Sequence, residues 1–197
     1  MSQQAVPTPA AVRGRVAPVK FAHIVFRTGQ KDAMVDWYRK VLEAEVALAN
    51  PMLTFLTFDD EHHRIAILGM PGLESPAQPV AGLEHFAFTY ATLGDLLATY
   101  RRLREDEILP YWSINHGPNL SFYYRDPDGN QIELQIDVFE TPDAVNAWYA
   151  TSDFAANPIG VKFDADDLIR RFEAGETLES LTRRPHIPPD QVFAQLP

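Results

Sequence analysis

Apolar residues in this chain change their period several times, and the changes fall in the same order twice. From position 19 the stretch VKFAHIVFRT alternates closely enough for a strand, because successive strand side chains point to opposite faces. Met34, Trp37, Tyr38, Val41 and Leu42 then follow at the spacing of one helix face. Apolar, β-type runs come next at 45–48, 53–58 and 64–68, separated by Asn50-Pro51 and by the acidic turn Asp59-Asp60-Glu61. The first unit, about 18–70, therefore reads βαβββ.

The second half repeats this order. A strand is predicted at 83–90, a helix with Leu93, Leu96, Leu97, Tyr100 and Leu103 on one face, and strands near 108–114, 120–124 and 131–138. A duplicated unit constrains architecture more than any single segment does. It predicts an α+β domain over 18–137, with units at about 18–70 and 80–137 whose paired mixed sheets enclose a site. Beyond it, residues 138–197 form a C-terminal helical and loop extension: ETPDAVNAWY reads as a capped helix, DADDLIRRFEAG as another ending at Gly175, and the rest is polar and Pro-rich. This extension either covers an open face of the repeat pair or buries a subunit contact.

Composition narrows the chemistry. With 46% hydrophobic residues in 197 the chain can bury a substantial core. A formal charge of −10, with no Lys/Arg-rich stripe, makes nucleic acid a poor partner. There is no cysteine, so any metal must be bound by His and carboxylate. Residues 1–17, Pro/Ala-rich and lacking a signal-peptide pattern or membrane-spanning run, read as a flexible arm of a cytoplasmic protein with no membrane partner.

Three residues then stand out. His23 and His85 occupy equivalent places in the two first strands, where a pseudo-twofold relation between the units would bring them together. Glu133 lies between Ile132 and Leu134 in an otherwise apolar strand; such a carboxylate either faces solvent beside Gln131 and Gln135 or is paired or metal-bound inside. If the three converge, two imidazoles and one carboxylate form the facial arrangement that leaves open positions on non-haem Fe(II), with Mn(II) as the alternative. Laying FDDEHHRIAI on YRDPDGNQIEL puts Ala66 opposite Glu133, and a methyl group cannot supply a fourth ligand. His63, His116 and Tyr123 are ordinary residues singly, and together they offer proton handling and anion stabilisation. His62 and His186 receive no role.

Over roughly 19–137 the pattern resembles the type I extradiol ring-cleavage dioxygenases of the vicinal oxygen chelate superfamily. FAHIVF and GLEHFAF are similar to the strands that supply two His ligands, and DPDGNQIEL to the turn and strand that supply the glutamate. EHHRIAI is similar to the segment carrying an acid/base His, here His63, and NHGPNLSFYYRDPDG to the region with a pocket His and a Tyr, here His116 and Tyr123. The resemblance implies Fe(II) held by His23, His85 and Glu133, a catechol-type substrate opened with O2, proton transfer by His63, a hydrogen bond from Tyr123 and anion stabilisation by His116. It also implies a one-domain form, since the familiar extradiol enzymes have four such units, and a homo-oligomer is expected. The rival readings are a metal-dependent glyoxalase- or epimerase-like lyase or isomerase and a non-catalytic binder of an aromatic compound or drug.

Overall fold

The computed structural model describes residues 18–75 and 81–197; the arm expected at 1–17 lies outside them. The first unit runs β1 (Ile24–Thr28), α1 (Lys31–Leu42), β2 (Glu45–Ala49), β3 (Leu53–Thr57) and β4 (Ile65–Gly69). Its four strands lie in the order β1-β4-β3-β2, with β1 parallel to β4 and the other pairs antiparallel. The second unit runs β5 (His85–Thr89), α2 (Leu93–Glu105), β6 (Trp112–Asn115), β7 (Asn119–Arg125) and β8 (Gln131–Asp137). It repeats the arrangement as β5-β8-β7-β6, again with its first and last strands parallel. This is the α+β architecture of two βαβββ units that the periodicity predicts.

The helices bury the faces that their spacing marks. Met34, Tyr38 and Val41 of α1 are buried, as are Leu93, Leu96, Leu97, Tyr100 and Leu103 of α2, and both sets join one continuous core. The Thr92 side chain caps α2 by accepting from the Asp95 amide at 3.1 Å, satisfying one of the free amides of the first turn. Two strands begin well inside the stretches that their patterns mark. The alternation from position 19 becomes a strand only at Ile24, where the ladder with Ile65 begins. The predicted 108–114 strand starts at Trp112, because the Ile108 amide is taken by the helix-end carbonyl of Leu103 at 2.9 Å, and Pro110 has no amide to offer a neighbour.

The extension contributes α3 (Pro142–Tyr149), α4 (Ser152–Ala156), β9 (Val161–Lys162), α5 (Ala165–Glu173) and α6 (Leu178–Thr182). It holds a strand as well as the helices read from its sequence. β9 pairs antiparallel with β6, so the second sheet has five strands, and that edge no longer presents a free row of backbone groups. Leu168, Ile169 and Leu181 enter the same core as Leu120, Phe122 and Ile136.

Polar links tie the two units together. The Tyr38 hydroxyl in α1 donates to Asp126 Oδ2 at 2.9 Å, in the turn between β7 and β8. Gln30 donates to Asp128 Oδ1 at 2.8 Å and to the Pro127 carbonyl at 2.9 Å. Asp126 is buried, which pushes its carboxyl pKa up, and it also accepts from the Asp128 and Asn130 amides and the Asn130 side chain. Tyr38→Phe keeps the ring packed on Phe26, 5.2 Å between centroids, and leaves that buried carboxylate one donor short. Urea denaturation should show a loss of about 1–3 kcal/mol with an unchanged circular dichroism spectrum; an unchanged midpoint would show that the bond does not join the units energetically.

Candidate active site

The pairing of β5, β8 and β7 puts a run of polar residues on one face of the second sheet. In parallel register Ala87 lies opposite Glu133, and across the antiparallel hairpin Tyr123 lies opposite Glu133 and Ser121 opposite Gln135. His85, Glu133, Tyr123, Ser121 and Asn119 therefore share a face, since strand side chains alternate. Glu133 is only 4% exposed. Its Oε1 accepts from Ser121 Oγ at 2.6 Å and from Asn119 Nδ2 at 2.8 Å, and its Oε2 faces His85 Nε2 at 3.2 Å. The carboxylate is thus turned inward and paired, and the solvent-facing alternative left open by the sequence does not hold.

On its other side, His85 Nδ1 donates to the Glu84 carboxylate. A carboxylate on one ring nitrogen fixes the imidazole's orientation and leaves the other nitrogen as the donor, the usual support of a metal-binding His. His85 Nε2 and Glu133 Oε2 converge on one point, and a nitrogen and a carboxylate oxygen suit a divalent cation such as Fe(II) or Mn(II).

His116 and Tyr123 form a second pair on the same sheet, with His116 Nε2 at 3.0 Å from the Tyr123 hydroxyl. His116 Nδ1 donates to the Ile159 carbonyl in the extension, which leaves Nε2 with a lone pair and makes Tyr123 the donor. Burial lowers the His116 pKa and keeps the ring neutral. The Tyr123 pKa is raised by burial first and by the Glu133 charge second, so the phenol keeps its proton. Trp112 and His85 pack against the Tyr123 ring at 4.8 and 5.2 Å between centroids.

The first sheet supplies the other two candidates. His23 is exposed and stands one residue before β1 rather than within it. His63, 8% exposed, is stacked between the rings of His23 and Phe55 at 4.5 and 4.2 Å. Burial lowers the His63 pKa, followed by the neighbouring His23 and His62. Val25 pairs with Ala66 as Ala87 pairs with Glu133, so Ala66 occupies the place that Glu133 takes in the other unit, as the alignment of the two segments predicts. The candidates fall into two groups, His85, Glu133, Tyr123 and His116 on one sheet and His23 with His63 on the other. Among the described residues, no three His, Asp or Glu side chains are gathered closely enough to enclose an ion.

Sequence reasoning missed four contributors. Glu84 was legible in principle as the acidic neighbour of a candidate ligand. Asn119 and Ser121 share the two-residue period of Tyr123 and would follow once the hairpin register is known. The Ile159 carbonyl carries no sequence signal.

Paired βαβββ sheets with polar residues on a shared face define a superfamily as well as a fold. The model of the Glyoxalase/Bleomycin resistance protein/Dioxygenase superfamily matches residues 20–134, and the chain belongs to that superfamily. It is 46% identical over 167 residues to biphenyl-2,3-diol 1,2-dioxygenase 2 of Rhodococcus globerulus, covering 84% of this chain and 88% of that one. Biphenyl-2,3-diol 1,2-dioxygenase 3 of the same organism is 44% identical over the same coverage. Among solved structures, a glyoxylase/bleomycin resistance protein/dioxygenase domain from Frankia sp. EAN1pec superposes with a TM-score of 0.52 at 16% identity, covering 61% of this chain and 99% of that one. The fosfomycin resistance protein FosX from Mesorhizobium loti gives 0.51 at 18% identity, covering 66% and 99%. These two share the fold.

The buried imidazoles set a pH dependence of stability. The folded pKa values of His116 and His63 lie below the unfolded value of about 6.5, so the unfolded chain binds more protons as pH falls. Their contribution is complete above about pH 6.5 and declines as pH falls through it. Thermal denaturation at about pH 7.5 and 5.5 should show a loss at the lower pH that His116→Gln reduces. An equal loss in the variant would remove His116 as a source.

Proposed function

We propose that the chain is an extradiol dioxygenase that opens the ring of a catechol-type aromatic with O2. Both oxygen atoms enter the product, the carbon–carbon bond beside the diol breaks, and a ring-opened semialdehyde acid forms without an external reductant. The observation that carries this reading is the 46% identity to a biphenyl-2,3-diol 1,2-dioxygenase over 167 residues, a stretch too long to fit within 1–134 and therefore reaching into the extension. That extension supplies the carbonyl behind His116, so the kinship includes the surroundings of the candidate site.

His85 and Glu133, which already face each other, would hold Fe(II), or Mn(II) in its place, once His23 leaves its stack on His63 to join them, and when bound the metal would supply open positions for the diol oxygens and dioxygen and a path for electrons between them. Ala66 in the place of a fourth donor favours a three-donor site with room for substrate over a closed four-donor one. Ser121 and Asn119 hold one Glu133 oxygen and leave the other directed at His85. His63, neutral through burial and stacked on Phe55, takes a proton from the diol and returns it to the opening product. The one proton of the Tyr123 hydroxyl, which points at His116 Nε2, would turn to a substrate oxygen when substrate binds, and His116, protonated at the Nε2 so freed, would stabilise the anion that ring opening produces.

The proposal places the protein in the cytoplasm as a homo-oligomer. No helix among the described residues is long and apolar enough to cross a membrane. Edge strand β2 is exposed along its length, Val46 and Leu48 included, and offers a surface for self-association that size-exclusion chromatography would detect.

Protein purified without oxygen should contain about one iron or manganese per chain and turn catechols yellow with consumption of O2. His23→Ala, His85→Ala and Glu133→Ala should each remove most of the metal from a folded protein; full metal in any of them excludes that residue as a ligand. His63→Phe should retain metal and bind catechol anaerobically, with turnover lower by roughly 10²–10⁴-fold. Near-normal turnover of the metal-replete variant would transfer the proton-handling role to His116.

A further inference from the structure

A cavity of about 480 Å³ runs along β1 and is lined by none of the candidate residues. A second one, about 390 Å³, adjoins the candidate chemistry. His116, Pro118 and Asn119 form its floor, and Trp148, Tyr149 and Phe154 of the extension form its wall. The three wall rings pack on one another with centroids 5.0 to 5.7 Å apart. Tyr149 nevertheless remains 46% exposed. Aromatic side chains assembled around an open cavity present faces and edges suited to another ring, and the volume lies within the usual range of small-molecule pockets, about 300–1,000 Å³.

The wall is a built feature. The indole of Trp148 lies so close to Gly117 that a Cβ there would sit 2.2 Å from it. Gly117 has φ of +105°, a conformation that glycine adopts without strain. The Arg184 guanidinium stacks on the Trp148 ring at 4.7 Å. It also donates to the carbonyls of His116, Asn157 and Asp153 at 3.1, 2.8 and 2.8 Å. Its cation is thereby fixed between the loop that carries His116 and the helices that carry the aromatic rings.

The floor of this cavity reaches the proposed chemistry directly: Asn119 donates to Glu133 and His116 meets Tyr123. A catechol bound at Glu133 and Tyr123 would direct a substituent past His116 and Asn119 toward the three rings. We infer that Trp148, Tyr149 and Phe154 form a subsite for the non-reacting aryl ring of a substituted catechol, with Trp148 as its main specificity-determining wall. This inference rests on the proposed dioxygenase reading, and it gives the extension a role in substrate selection.

Calorimetry with 2-hydroxybiphenyl and phenol tests the subsite without turnover or a vicinal diol. The full-length chain should bind 2-hydroxybiphenyl about 10-fold more tightly than phenol, a difference on the scale of an aromatic contact plus ring burial. Trp148→Ala and Phe154→Ala should abolish most of that preference, and Trp148→Phe should restore part of it. In steady-state assays, the ratio of kcat/KM for 3-phenylcatechol over 3-methylcatechol should fall about 10-fold in Trp148→Ala. If Trp148→Ala does not fold, Phe154→Ala and Tyr149→Ala carry the same comparison. Unchanged preference in folded wall variants, or none in the parent chain, overturns the subsite even if catechols are opened. Failure to open any catechol overturns the dioxygenase reading alone, because the binding comparison still decides whether the rings take an aryl group.

Discussion

A carboxylate buried to 4% exposure in the middle of a sheet is the constraint around which the second unit is organised. Removing such a charge from water costs several kcal/mol unless donors surround it. Glu133 meets that requirement with Ser121 and Asn119 from the neighbouring antiparallel strand, and its second oxygen faces His85 Nε2 from the neighbouring parallel one. Each donor reaches it only in the observed register. A slip of one residue in β7 would point both hydrogen-bond donors at the helix side and bring apolar residues to the acid. The same register sets Tyr123 opposite Glu133, and through Tyr123 it places His116.

The extension is coupled to this arrangement at several points. β9 completes the sheet edge next to β6, the Ile159 carbonyl selects the His116 tautomer, and Asn115 and Trp112 donate to the carbonyls of Thr182 and Gln195, both at 2.7 Å. Hydrogen bonds from three separate stretches of the extension thus converge on β6 and the loop after it. The loop bearing His116 is held from outside the duplicated units, which ties the candidate site to a part of the chain that the repeat does not contain.

The duplication made most of the fold legible in the sequence. Helix faces at 3.6-residue spacing and strand runs bounded by Pro and acidic turns are local signals, and the repeat supplied the long-range relation that local signals lack. The correspondence between Ala66 and Glu133 follows from two short segments and agrees with the strand pairing. The shortened first and sixth strands were not legible, because their limits depend on where a partner's ladder begins and on which amide a helix end captures. β9 escaped notice since two residues carry no period, and they form a strand only because β6 presents an unpaired edge. At the site, residue types identified the candidates, whereas the contacts that orient them run from Glu84, Asn119, Ser121 and Ile159. Such contacts are properties of the assembled sheet.

The pairing of Val25 with Ala66 and of Ala87 with Glu133 also has an arithmetical side. Two identical half-length chains meeting about a twofold axis contribute donors in even numbers, so a carboxylate on one is accompanied by a carboxylate on the other. Covalent fusion removes that obligation. With both halves in one chain, a methyl group can stand at one of two equivalent positions and a carboxylate at the other, and an odd number of donors becomes attainable. The unequal pair at 66 and 133 is thus a difference between the halves that a symmetric dimer of identical halves cannot have.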